Sequence, residues 1–213
     1  MDILATVLHP IVLAMNYLLS LYQLVSGSWG LSIIFLSISI SLLLLPLQRI
    51  GRKVEQKIET RTRMVNAEVA KIDSAIKGEQ RFNIIDKIYR SNQYHPIQQI
   101  WGASSILILL PVLISAVFLF EHHSELVGTS FLMLPDLSTP DQLAWGFNLL
   151  PIIMFLITFS DAFGRFNGNK SGFYRYLLIS TVIVALVYNM PSALLIFWIG
   201  NNLVSFFIFR IRS

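Results

Sequence analysis

The chain has 213 residues, 54% of them hydrophobic and only 13% charged, with a mean hydropathy of +0.64. A soluble domain carries about a quarter charged residues, so an ordinary water-facing globule is excluded. Several near-continuous apolar windows of about 17–20 residues point instead to helices crossing a ~30 Å hydrocarbon core. The absence of cysteine removes disulfides, thiolate metal sites and cysteine nucleophiles.

Segment 1–28, "MDILATVLHPIVLAMNYLLSLYQLVSGS", has no basic stretch before its apolar part and no small-x-small cleavage site, so it is not read as a removed signal peptide. Pro10 and Asn16 interrupt it and Gly27 closes it, which suits an amphipathic helix on the outer face. A further span over 3–25 is the alternative. The first span follows at 29–48, then a polar segment at 49–97 and a second span at 98–121. An outer loop at 122–144 leads to a third span at 145–162. A cytoplasmic loop at 163–173, a fourth span at 174–189, and a fifth span with a short basic tail at 190–213 complete the chain. The predicted fold is an all-α integral membrane protein, a five-transmembrane-helix bundle with an N-terminal interfacial helix and a cytoplasmic helical hairpin.

Charge sets the orientation. Segment 49–97 is rich in Lys and Arg, Arg165, Lys170 and Arg175 follow the third span, and Arg210 and Arg212 sit at the C-terminus. Segment 1–28, the loop 122–144 and the turn "NMPS" have neither residue. Alternate connections thus carry all the basic charge, which places the N-terminus outside and the C-terminus in the cytosol. The net charge of +4 is accounted for by topology and does not call for direct nucleic-acid binding. Trp29 and Trp145 fall at outer span edges and Trp101 at an inner one, where interfacial aromatics belong.

Within 49–97, Val54, Ile58, Val65, Val69, Ile72 and Ile76 form a heptad-like seam between charged residues. Gly78 breaks it, a shorter stripe of Phe82, Ile85, Ile88 and Tyr89 follows, and Pro96 is expected to end the second helix. The segment therefore reads as an antiparallel helical hairpin in the cytosol. Arg61, Arg63, Lys77 and Arg81 are its candidate contacts for a client or partner.

At 100° per residue, Gly30, Ser37, Ser41 and Gln48 share one stripe of the first span, with Ser32 and Ser39 on the other side. Serine is tolerated in a membrane helix because its hydroxyl bonds back to a carbonyl one turn earlier, and it lets helices approach closely. Ser32 and Ser39 are read as such packing residues. The fifth span places Trp198, Asn201 and Ser205 on one face with Asn202 alongside. The fourth carries Tyr174, Thr181 and Tyr188 at spacing seven. An asparagine in a span needs a partner or a wetted cavity. Two readings stay open: a water-filled groove lined by Ser37, Ser41, Gln48, Thr181, Trp198, Asn201, Asn202 and Ser205, or a few interhelical hydrogen bonds that fix the bundle. No catalytic residue, metal ligand set or cofactor site is predicted, since His9, His95, His122 and His123 lie in no ligating pattern and no phosphate-cradling glycine loop is present.

The order of these segments resembles the YidC-type membrane protein insertases. The resemblance rests on "SWGLSIIFLSISISLLLLPLQ" with its Trp-Gly start and inner proline, and on the basic hairpin followed by "YRSNQYHPIQQI". It rests also on the outer piece "FLMLPDLSTPD" and the closing "NMPSALLIFWIGNNLVSFF". It implies a bacterial inner-membrane insertase or chaperone, not an enzyme, that passes client segments from the cytosol into lipid through a polar groove without nucleotide. Nascent membrane proteins, lipids, and the ribosome or a translocon are the implied partners. The family pattern carries an arginine five residues before the proline, where this chain has Ser41. A dedicated assembly factor and a small-solute transporter are the alternatives, the latter lacking an inverted repeat or buried charge array.

Overall fold

The computed structural model describes residues 3–73, 76–95, 97, 104–143, 146–165 and 170–210. Its helices are α1 (Ile3–Ser26), α2 (Trp29–Ala70), α3 (Gly78–Ser91), α4 (Ser104–Glu121), α5 (Leu149–Arg165), α6 (Lys170–Val187) and α7 (Ser192–Arg210). Phe131 and Leu134 form an antiparallel bridge. Trp101, Trp145 and Pro96 lie outside the described residues. Two helices, α1 over Leu8–Ser26 and α2, are long and apolar enough to cross a membrane; Leu107–Glu121, Leu149–Gly164, Gly172–Val187 and Ser192–Ile208 are shorter apolar helices.

The first span and the first arm of the hairpin are one helix. α2 is 42 residues long. Pro46 sits inside it, and a division of the chain into two compact units falls at Leu45 and Pro46. One unit comprises Met1–Leu45 with Leu109–Ser213, and the other Pro46–Ile108.

In the larger unit, α5 packs against both α6 and α7. Met15, Leu19, Ile33, Leu36, Phe120, Met154 and Phe197 are fully buried, and the Phe120 and Phe197 rings meet at 5.8 Å between centroids. Gly27, at φ +66°, makes the left-handed turn between α1 and α2 and returns its N–H to the Gln23 carbonyl at 2.9 Å, as a helix C-terminus requires. α1 then lies along α2. Tyr22 and Ser39 share a hydroxyl–hydroxyl bond of 2.5 Å, and the Ser32 hydroxyl reaches the Ser28 carbonyl at 2.7 Å and Gln23 Oε1 at 3.4 Å. Ser32 and Ser39 thus serve packing against α1. Large apolar side chains such as Leu24, Leu43, Phe163, Leu178 and Leu186 stay exposed on the helices, a surface that water would not favour over lipid.

The loop between α4 and α5 supplies what the helix ends lack. The first turn of a helix leaves N–H groups without partners. At α7 the Ser192 N–H and hydroxyl both donate to the Thr139 carbonyl, at 2.8 and 2.7 Å, and the Ala193 N–H donates to Leu137 at 3.0 Å. At α5 the Asp141 carboxylate accepts from the N–H groups of Leu149 at 2.5 Å and Leu150 at 3.3 Å, a negative charge at the positive helix end. Asn148 donates to the Tyr188 carbonyl at 2.7 Å, tying the start of α5 to the end of α6.

In the smaller unit, Val65 is fully buried on the hairpin seam. Asn92 donates to Glu68 at 2.9 Å and Arg61 to the Gln93 carbonyl at 3.3 Å, so the end of α3 is fastened to α2. α3 buries none of its residues fully, and Phe82 is exposed, so its stripe is a weaker seam than the pattern suggests. α3 also ends at Ser91, ahead of the expected stop at Pro96, because Gln93 takes a left-handed φ of +47°.

His123 begins the outer loop with its ring edge-on to Trp29 at 4.9 Å. Burial holds its imidazole below the ordinary value, against the opposing pull of Glu125. The unfolded loop therefore binds a proton more readily than the folded one. The stability that a neutral His123 contributes is fully present above about pH 6.5 and is lost as pH falls below it. With Trp101, Trp145 and Trp198 replaced by Phe, acidification should change Trp29 emission, with a midpoint below that value. His123→Phe should flatten the curve.

Candidate functional site: a buried polar seam between α2 and α7

Ser37 and Ser41 lie one turn apart on α2, and Asn201 follows Gly200 on α7. The Ser41 hydroxyl donates to Asn201 Oδ1 at 2.6 Å. The Asn201 amide in turn donates to the Phe197 carbonyl at 2.8 Å. Ser41 is 1% exposed and Asn201 2%, so the pair is removed from solvent. Each polar atom has a partner, as burial demands.

The helices approach closely beside this pair. A Cβ built on Gly200 would fall 2.1 Å from the Ser37 hydroxyl and 2.9 Å from its Cβ. Glycine at 200 is therefore a matter of space. Ser37 donates to the Ile34 carbonyl at 2.8 Å, which satisfies its hydroxyl within α2 and leaves the contact with Gly200 one of shape. Trp198 is buried one turn before.

Not all the expected groove residues gather here. Asn202 turns to α5, donating to Thr158 at 3.3 Å. Ser205 is half-buried one turn beyond Asn201. Thr181 is exposed on α6, bonded back to the Leu177 carbonyl at 2.8 Å, and takes no part in the seam. Gln48 is buried in the smaller unit. Gly30, on the same stripe, meets the Phe131 ring of the outer loop.

In the hairpin, Arg63 pairs with Glu59 at 2.6 Å, Lys77 precedes α3 as its N-cap, and Arg81 is half-buried. Arg61 lines an open cleft of about 720 Å³ with Lys53, Lys57, Asn92 and Gln93. Lys53 and Lys57 were not singled out from the sequence; their i, i+4, i+8 spacing with Arg61 was the available signal. Gly200 was missed as well, since its role shows only when Ser37 is placed opposite. Among the described residues no cluster of His, Asp and Glu could hold a metal ion.

The described residues are built from helices, two of them long and apolar enough to cross a membrane, with a loop that caps the starts of α5 and α7. The profile of the 60Kd inner membrane protein family matches residues 10–211, and the chain belongs to that family, the one expected from its segment order. It is 27% identical to the membrane protein insertase YidC of Clostridium perfringens, over 84% of this chain and 76% of that one. It is 26% identical to YidC 1 of Listeria monocytogenes, over 93% and 69%, and 26% identical to YidC of Chlamydia caviae over 94% of this chain but only 27% of the relative. The crystal structure of an active YidC insertase with its first transmembrane domain resolved shares the fold, with a TM-score of 0.61 at 19% identity, over 98% of this chain and 47% of that one.

The seam yields a stability test. Gly200→Ala should cost about 1–3 kcal/mol through overpacking. Ser37→Gly, which empties the opposing position, should recover most of that loss in the double variant. Additive effects of the two changes, measured by unfolding in detergent micelles, would contradict the contact.

Proposed function

We propose that the chain is a membrane protein insertase. It moves apolar segments of client proteins from the cytosol into the bilayer without nucleotide hydrolysis. It does so as five spans in a bacterial inner membrane, with α1 on the outer face, the N-terminus outside and the C-terminus in the cytosol. The observation that carries the reading is the family match over nearly the whole chain, joined to a polar pair inside an apolar bundle.

The chemistry is one of exchange. A client's polar tail meets its barrier in losing water. An interhelical bond such as that between Ser41 and Asn201 is worth about 1 kcal/mol, so opening the seam costs little, and the freed hydroxyl and amide can both donate and accept. The client thereby trades water for protein partners. Leu149–Gly164 spans 16 residues, about 24 Å of helix, which is shorter than the ~30 Å core. A helix too short for the bilayer thins it locally, so the path to be crossed is shortened as well. The exposed leucines and phenylalanines of α5 and α6 offer the client's apolar segment a surface along which to reach lipid.

A narrower reading, a dedicated assembly factor for few clients, is favoured by one feature. The seam is closed and neutral, with Ser41 where the family pattern has a cation. Photo-crosslinkers at Ser37, Ser41 and Asn201 separate the two. General insertion predicts labelling of many nascent membrane proteins, well above a control at Ser39, which faces Tyr22. A dedicated factor predicts one stoichiometric product. Labelling no stronger than at Ser39, with no rescue of insertase-depleted cells, would sink both.

A further inference from the structure

We infer that the tip of the outer loop, Leu132 and Met133, is a membrane anchor that dips into the outer leaflet beside the start of α2. These two side chains are 87% and 84% exposed, among the most exposed large apolar groups of the chain. They are not loose. Phe131 and Leu134 exchange both backbone hydrogen bonds across the tip, each at 2.9 Å. Leu134, Leu137 and Leu126 beneath it are buried, and the Leu137 N–H donates to Thr129 at 2.9 Å. The loop is thus a built platform with two apolar residues pointed away from it.

The backbone sharpens this. Leu132 has φ +52°, a left-handed conformation that favours glycine in a two-residue turn. A large side chain is kept there at the expense of local strain, so the tip is better explained by an apolar environment than by the needs of the turn.

Depth identifies the occupant. The Phe131 ring lies against Gly30, so close that a Cβ on Gly30 would overlap it. Gly30 opens the apolar run of α2 and follows the interfacial Trp29. Phe131 is therefore at the level where hydrocarbon gives way to headgroups. Two residues of chain reach at most about 7 Å, comparable to the thickness of the interfacial layer, so Leu132 and Met133 lie at lipid depth. Leu132 and Met133 carry no charge, the loop 122–144 has no lysine or arginine, and the Asp136 carboxylate accepts from the N–H and hydroxyl of Ser138 at 2.8 and 2.7 Å, which holds it in its own turn.

The chain has no cysteine, so single cysteines can be spin-labelled without further change. Met133→Cys, Leu178→Cys on the exposed apolar face of α6, and Gln80→Cys on the exposed hairpin would be reconstituted into phosphatidylethanolamine–phosphatidylglycerol vesicles. Collision with oxygen, which concentrates in lipid, would be compared with collision with an aqueous nickel chelate. The expected oxygen-to-nickel ratio at 133 matches that at 178 and is several-fold above that at 80. A ratio at 133 like that at 80 overturns the anchor while leaving the membrane bundle intact. A label at 133 shielded from both reagents overturns it in favour of a protein cover. A ratio at 178 like that at 80 would remove the bundle from the bilayer, and the anchor with it.

Discussion

In an apolar bundle, a polar group has to be satisfied by the bundle itself. Ser41 and Asn201 meet this demand for each other, and much of the interior follows from it. Asn201 needs an acceptor for its amide and a donor for its oxygen. It finds the first in its own helix at Phe197 and the second across the gap at Ser41. The second bond fixes the rotation of α7 about its axis relative to α2. That rotation turns Gly200 to Ser37, and Asn202, one residue on, to Thr158 of α5. One hydrogen-bonded register thereby positions three helices, and the buried contact of Phe197 with Phe120 of α4 adds apolar area that such bonds alone do not supply.

The same demand shapes the starts of α5 and α7. A helix that stops near the membrane surface exposes N–H groups that neither lipid nor neighbouring helices satisfy. Here a single loop meets that need twice, with the Thr139 and Leu137 carbonyls at α7 and the Asp141 carboxylate at α5. Because the loop is held by these bonds, it can also carry a strained turn and seat Phe131 on Gly30. The hairpin is held differently. α3 has no fully buried residue, and its attachment rests on Val65, Asn92 and Arg61, a thinner set of contacts, much of it open to solvent.

Much of this is legible in the sequence because the signals are strong ones. Long apolar runs have one simple physical reading, and they become helices, while of the heptad seam only Val65 is fully buried and Val54 stays exposed. The division of the serines into two sets is legible too, from helical periodicity alone, and the bonds of Ser32 and Ser39 toward α1 accord with it. What periodicity cannot give is the partner. Thr181 and Asn202 were grouped with Ser41 because each lies on a polar stripe, yet Thr181 bonds to its own helix and Asn202 to α5. A hydroxyl can always satisfy itself one turn back, so a threonine on a stripe carries little information about what it faces. The continuity of α2 through Pro46 was hidden for a related reason. A proline costs one backbone bond and a local clash, which a helix 42 residues long can absorb.

Ser41 is then part of a larger consistency. An arginine at this position would carry five N–H donors, whereas the nearest described acceptor, Asn201 Oδ1, satisfies one. It would also need volume, and one turn away the helices already approach so closely that Gly200 admits no Cβ beside Ser37. Serine, glycine and asparagine at 41, 200 and 201 therefore belong together. They make a contact that is close, neutral and held by a single weak bond, where a cation would require helices held apart and wetted.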